Sequence, residues 1–301
     1  MKTPRRTFLK SAAALPAVVP AASASPALLP AIPLGKFQVT RLIIGANPFY
    51  GYSHFNRIFD DVMREWSTTE NVCQTLSRCE QNGINTWQFS YNQRSMADLE
   101  RHRAEGGRLQ WILLSSRELH EDPELIKRLA KAGPIGIVHH GGVTDNLCRR
   151  REFDKIRTFL KQVRDSGAMV GMSSHTPANI ARAEDEGWDT DFYMTCCYQV
   201  TRTADEVRKI TGELPLPAGE VYLEGDPARM FKVVRQTKKP CLAFKILAAG
   251  RRINNAEDLD RAFQFTFDSI KPNDAVIVGM FPKFKDEVTD NAGRVRRILR
   301  A

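Results

Sequence analysis

Short runs of aliphatic, β-branched and aromatic residues alternate along most of the chain with longer stretches in which apolar residues recur at helical spacing. The apolar runs are RLIIGAN (41–47), INTWQFS (84–90), LQWILLSS (109–116), IGIVHH (135–140), AMVGMSS (168–174), DFYMTCC (191–197), PCLAFKIL (240–247) and DAVIVGM (274–280). Helices are predicted near 69–82, 95–105, 122–132, 151–166, 177–187, 226–238, 256–269 and 284–299. Helix starts are marked by Thr68 before Thr69-Glu70, by Asp122 before Pro123 and by Thr176 before Pro177. Gly83, Gly133, Gly167 and Gly187 stand where helices should end. The strand runs are apolar throughout, as they are when both faces of a parallel sheet are covered. Eight such units predict one (β/α)8 TIM barrel over residues 40–301. An open doubly wound sheet fits less well, because GANPFYG after the first run lacks the G-x-G-x-x-G fingerprint.

Residues 1–24 break this pattern. Lys2, Arg5, Arg6 and Lys10 precede an Ala/Leu/Val/Pro-rich stretch, and Ala22 and Ala24 sit at the spacing a signal peptidase reads. The RRTFLK string matches a twin-arginine signal, so the chain is expected to engage that export machinery and to be periplasmic or otherwise exported. Residues 25–39, with Pro26, Pro30 and Pro33, read as a linker. Beyond the leader no apolar run has the roughly 18 residues that stable membrane insertion needs.

Composition narrows the function. With 42% hydrophobic and 26% charged residues the chain is neither disordered, collagen-like nor a coiled coil. The net charge of +9 would suit nucleic acid, but four of the basic residues lie in the leader and no basic stripe interleaves with aromatics. None of the six cysteines shows C-x-x-C spacing, and no disulfide framework is expected. A small-molecule partner remains.

A barrel's chemistry gathers at the C-terminal ends of its strands. Those positions hold Asn47 and His54, then Gln88 and Tyr91, then Ser115 and Ser116. His139, His140 and Asp145 come next, followed by Ser173, Ser174 and His175; Tyr198 and Arg202 follow the sixth run, and Lys245 and Arg251 the seventh. Successive strand residues face opposite ways, so only one of His139 and His140 can face the lumen. His140 is expected inward and His139 among the helices. His175 could instead cap the helix that starts at Pro177, and Asn47 before Pro48 could be a plain turn former. Lys245 has no cheap structural role unless it pairs with a carboxylate, for which Glu224 and Asp145 are candidates. Trp66, Trp87, Trp111 and Trp188 read as core, with Trp87 or Phe89 stacking on a sugar as the alternative.

The ordered set IGIVHHGG, VGMSSHTP, YMTCCYQ, PCLAFKILAAGR and VIVGMFPKF followed by DEVTDNAG resembles the aldo-keto reductase superfamily, and RLIIGANPF and GINTWQFSY resemble its opening strands. The resemblance spans about residues 40–299. It implies NADP(H) held by Ser173, Ser174, Arg251 and Lys283, and a carbonyl or sugar substrate polarised by His140 with Tyr91 as acid. The family's catalytic Asp aligns with Gln88 and its Lys with Ser115/Ser116, so nothing would bring a tyrosine down from about 10. Two other readings stand beside it. One is a lyase, isomerase or hydrolase on a keto-sugar without nicotinamide. It would be assisted by Lys245, with His175 as a further catalytic group, or by a divalent metal (Zn, Mn or Fe) on His54, His140, His175 and Glu224. The other is a non-catalytic carbohydrate-binding barrel. Asn47, His54 and Tyr198 are the candidate substrate contacts.

Overall fold

The computed structural model describes residues 27–216 and 220–300; the expected signal segment, 1–24, lies outside them. The described chain opens with a hairpin, β1 (Ala31–Leu34) and β2 (Phe37–Thr40), joined through Gly35 at φ +58°. A Cβ at Gly35 would come 2.7 Å from the Met169 sulfur, so the turn needs glycine for space as well as for φ. The segment expected as a linker is therefore largely structured: Ile32, Leu34 and Val39 are buried against the barrel interior. Prolines do not forbid this, because an antiparallel pair tolerates one on its edge.

The barrel strands are β3 (Leu42–Gly45), β4 (Thr86–Ser90), β5 (Gln110–Leu114), β6 (Gly136–His139), β7 (Met169–Ser174), β8 (Phe192–Cys196), β9 (Cys241–Phe244) and β10 (Ala275–Gly279). They pair in parallel in chain order, and β10 closes on β3. The single (β/α)8 barrel predicted from the pattern is what forms. Helices α1 (Arg57–Trp66), α2 (Thr69–Gln81), α3 (Gln93–Ala104), α4 (Arg117–Glu121), α5 (Pro123–Lys131) and α6 (Gly141–Arg149) surround its first half. Its second half carries α7 (Phe153–Asp165), α8 (Pro177–Asp185), α9 (Ala204–Thr211), α10 (Asp226–Gln236), α11 (Ala256–Ser269) and α12 (Glu287–Leu299). The pattern missed α1, α4, α6 and α9, which are short additions to loops at the C-terminal rim.

Two cores hold the fold. Ile43, Ile112, Val138, Phe192, Met194, Leu242 and Ile277 fill the lumen down to the hairpin. Trp87, Phe89 and Trp111 point outward and pack ring on ring between strands and helices, with centroids 4.2 and 5.5 Å apart. Trp87 and Phe89 are thus core, out of reach of a sugar. Among the described residues no helix is long and apolar enough to cross a membrane.

Candidate active site

The loop after β3 begins with a single turn, Asn47–Tyr50, started by Pro48, and is tied down where Ser53 donates through N and Oγ to Asp60 Oδ1 at 2.8 and 2.5 Å. Between these anchors His54 sits at φ +56°. Its Nδ1 is 2.8 Å from Glu220 Oε1, and its Nε2 is 3.0 Å from the Asn47 amide nitrogen. Lys245 follows β9 directly, also left-handed at φ +60°. Its nearly buried Nζ donates to Glu220 Oε2 at 2.9 Å and to the Tyr222 hydroxyl at 3.2 Å. The Tyr222 hydroxyl donates to the same oxygen at 2.5 Å. Arg251 lies 4.1 Å over the Tyr222 ring and donates to the His54 carbonyl at 3.1 Å. Left-handed backbone costs a non-glycine residue on the order of 1–3 kcal/mol, and strain held at a cleft is a pointer to function.

Burial alone would raise the Glu220 carboxyl, but the His54 hydrogen bond and the Lys245 charge outweigh it and hold it well below the carboxylate range. Burial and the Glu220 charge drive the Tyr222 hydroxyl far up, so it stays protonated. The loop that carries both is pinned from behind. Asp226 meets Arg202 at 2.5 Å with both side chains almost fully buried, and it accepts from the backbone of Gln199 and Leu223.

A second cluster stands across the mouth. His175 Nδ1 is 2.8 Å from Asp145 Oδ2, and Asp145 also accepts from Ser174, Asn179 and Thr201. Burial opposes the Asp145 charge, but these donors, His175 first, hold its carboxyl low. His140 caps α6 and accepts from Gly142 N at 3.1 Å. Burial, then the His175 charge, brings it down to about 4. His139 turns outward to Thr144 and the rings of His120 and Phe159, and burial brings it down to about 3.

A cavity of about 470 Å³ opens where β3, β9 and β10 end. Asn47, His54, Gln88 and Lys245 are on its wall; Tyr91, His140, His175 and Tyr198 are not. Tyr198 packs behind Tyr222, ring centroids 5.1 Å apart. Tyr91 is half-buried against the outer core.

The expected metal set does not assemble. Glu224 is exposed, the histidines split between two carboxylates, and among the described residues no three His, Cys, Asp or Glu side chains are placed to hold an ion. The expected dinucleotide cradle does not assemble either. Ser173 is buried, Ser174 is spent on Asp145, Arg251 braces Tyr222 and His54, and Lys283 is exposed over the Phe284 ring rather than in the cavity lining. Glu220 and Tyr222 escaped sequence reading. The only available signal was the need of Lys245 for a carboxylate partner, which Glu220 fills in place of Glu224 or Asp145.

No family model matches the chain, and no curated protein matches it. Solved structures similar in fold include Gox0644 in its apo form, at 8% identity over 87% of this chain and 90% of that one with a TM-score of 0.50. Another is a truncated 3-deoxy-D-arabino-heptulosonate 7-phosphate synthase from Thermotoga maritima, at 12% over 91% and 92% with a TM-score of 0.51. A xylose isomerase-like TIM barrel protein from Mycobacterium smegmatis in complex with magnesium follows at 10% over 78% and 89%, TM-score 0.42. At such identities the likeness extends to the fold alone. The expected kinship with aldo-keto reductases is corrected: no family model matches the chain, and a similar solved structure above a TM-score of 0.5 is named as a synthase.

Proposed function

We propose that this chain is a barrel lyase or isomerase that moves a proton beside the carbonyl group of a small, sugar-like compound without using nicotinamide. The observation that carries the reading is the His54–Glu220–Lys245 chain on the wall of the cavity. With Asn47 donating to Nε2, the His54 proton sits on Nδ1 and is given to Glu220, which leaves Nε2 as a base. A substrate that displaces the Asn47 amide presents its α-carbon hydrogen to Nε2. His54 takes that proton, Glu220 faces the imidazolium that forms, and the Lys245 ammonium with the Gln88 amide stabilises the enolate oxygen. Where the α-carbon bears a hydroxyl, passage of the hydroxyl proton to the enolate oxygen and return of the carbon proton from Nε2 to the former carbonyl carbon isomerises the substrate. In the lyase case Nε2 instead takes the proton of a β-hydroxyl, the Cα–Cβ bond breaks to release a carbonyl fragment and the enolate, and the imidazolium then protonates the enolate α-carbon. A Schiff base at Lys245 has less support, because its amine is already engaged by Glu220 and Tyr222.

The test is solvent exchange. The purified protein is incubated in D2O with a panel of aldoses, ketoses and 2-keto acids, and carbon-bound hydrogen is followed by NMR. Deuterium should enter next to the carbonyl of at least one compound, and His54→Asn and Lys245→Met should each abolish it. Exchange by neither route, or exchange that survives both substitutions, removes the proposal.

Export by way of residues 1–24 is proposed on the twin-arginine string alone. Replacing Arg5 and Arg6 by Lys should retain the protein in the cytoplasmic fraction, and unchanged fractionation would refute it.

A further inference from the structure

We infer that the cavity carries an apolar subsite, so that the substrate is an amphiphile whose carbonyl head meets Lys245 while an uncharged alkyl or aryl tail lies against the ends of β9 and β10. The head rests on the function proposed above; binding of the tail does not. At about 470 Å³ the cavity is of the size that takes drug-sized ligands, far more than a bare triose or pentose fills. Away from Lys245 its wall is largely apolar, with Phe59, Met63, Leu259, Val278 and Phe281 beside the ion-paired Lys285 and Arg294. At its edge Tyr52, Ile253 and Phe284 are 58%, 46% and 73% exposed, three large apolar side chains from three separate loops that face one opening. Single exposed apolar residues are ordinary, but a group at a cavity edge marks a site where apolar surface is covered.

Charge does not favour a phosphorylated tail. Away from Lys245, Lys285 pairs with Asp290 and Arg294 with Asp260, and Lys283 lies over the Phe284 ring, outside the lining. The first turns of α11 and α12, which open at this edge, carry Glu257, Asp258, Glu287 and Asp290, which offset the pull of the helix N-termini on an anion. An uncharged apolar group is what this wall accommodates at no electrostatic cost.

The experiment uses the neutral fluorophore N-phenyl-1-naphthylamine and a homologous series of straight-chain methyl ketones. The full protein should bind the probe at one saturable site, and the ketones should displace it about fourfold more tightly per added methylene, the factor that a buried methylene contributes. Phe284→Asp and Leu259→Trp, both at partly exposed positions, should weaken probe binding at least tenfold with an unchanged circular-dichroism spectrum. Lys245→Met should leave probe binding intact. Non-saturable binding, displacement independent of chain length, or indifference to both wall substitutions overturns the inference. Loss of solvent exchange with probe binding retained would instead count only against the proposed chemistry.

Discussion

His54 and Glu220 are 166 positions apart in the chain, and Nδ1 of one stands 2.8 Å from Oε1 of the other. The second oxygen of the same carboxylate takes Lys245 and Tyr222. One half-buried carboxylate thus organises a base, an ammonium and a hydroxyl from three rim segments.

Replacing His54 by Asn keeps a polar side chain and removes the base. Solvent exchange should fall by about 10²–10⁴, the usual contribution of a positioned general base. A smaller loss, measured by NMR on the substrate that exchanges fastest, would mean that another group takes the proton.

Glu220→Gln preserves shape and removes the charge. The Glu220 carboxyl is depressed in the folded state, so its contribution to stability is present above the unfolded value of about 4.3 and is lost as pH falls below it. The wild-type protein should therefore be the more stable at pH 7, and the gap in Tm should begin to narrow as pH falls from 5 to 3. A gap that stays constant across that range would contradict the ion-pair assignment.

The buried His140 imidazole is depressed to about 4. Below the unfolded value of about 6.5 the unfolded chain takes up a proton that the folded chain refuses, so stability should decline between pH 6.5 and pH 4 and then level. His140→Gln should flatten part of that slope in thermal melts, with His139, depressed to about 3, accounting for more of it. Identical slopes in His140→Gln, His139→Gln and wild type would show that neither imidazole is held neutral.

Asp226→Asn leaves Arg202 without its buried counter-charge, a change that costs about 3–5 kcal/mol when such a pair is broken. Denaturant unfolding should show that loss, and solvent exchange should fall with it because the segment bearing Glu220 and Tyr222 loses its anchor. Full activity in a destabilised Asp226→Asn protein would separate the anchor from the site.

Ile32→Ala in the hairpin should destabilise the barrel by about 2–5 kcal/mol, as for other buried aliphatic truncations, with activity retained at low temperature. A change below 0.5 kcal/mol would mean that the hairpin is dispensable to the lumen.

The barrel was legible because each strand announces itself as an apolar run, and each helix by spacing and caps such as Thr68 and Asp122. The hairpin was hidden by its prolines, and α6 and α9 by brevity. His54, Asn47 and Lys245 could be placed at the rim from strand ends alone. Which of them share a wall could not, because rim neighbours come from loops whose paths depend on distant anchors. Glu220 was invisible for that reason: its local partner Tyr222 carries no motif, and it is Lys245 and His54, folded against it, that give it a role.

By itself the sequence determined the eight-fold repeat and the outward turn of His139, since strand periodicity is a local property that burial merely enforces. The tertiary structure decided which carboxylate serves which cation. It drew His54 and Lys245 to Glu220 and His175 to Asp145, and so dissolved the expected metal set. Electrostatic partnership depends on distances between loops, and those are set by packing across the whole barrel rather than by neighbours in the chain.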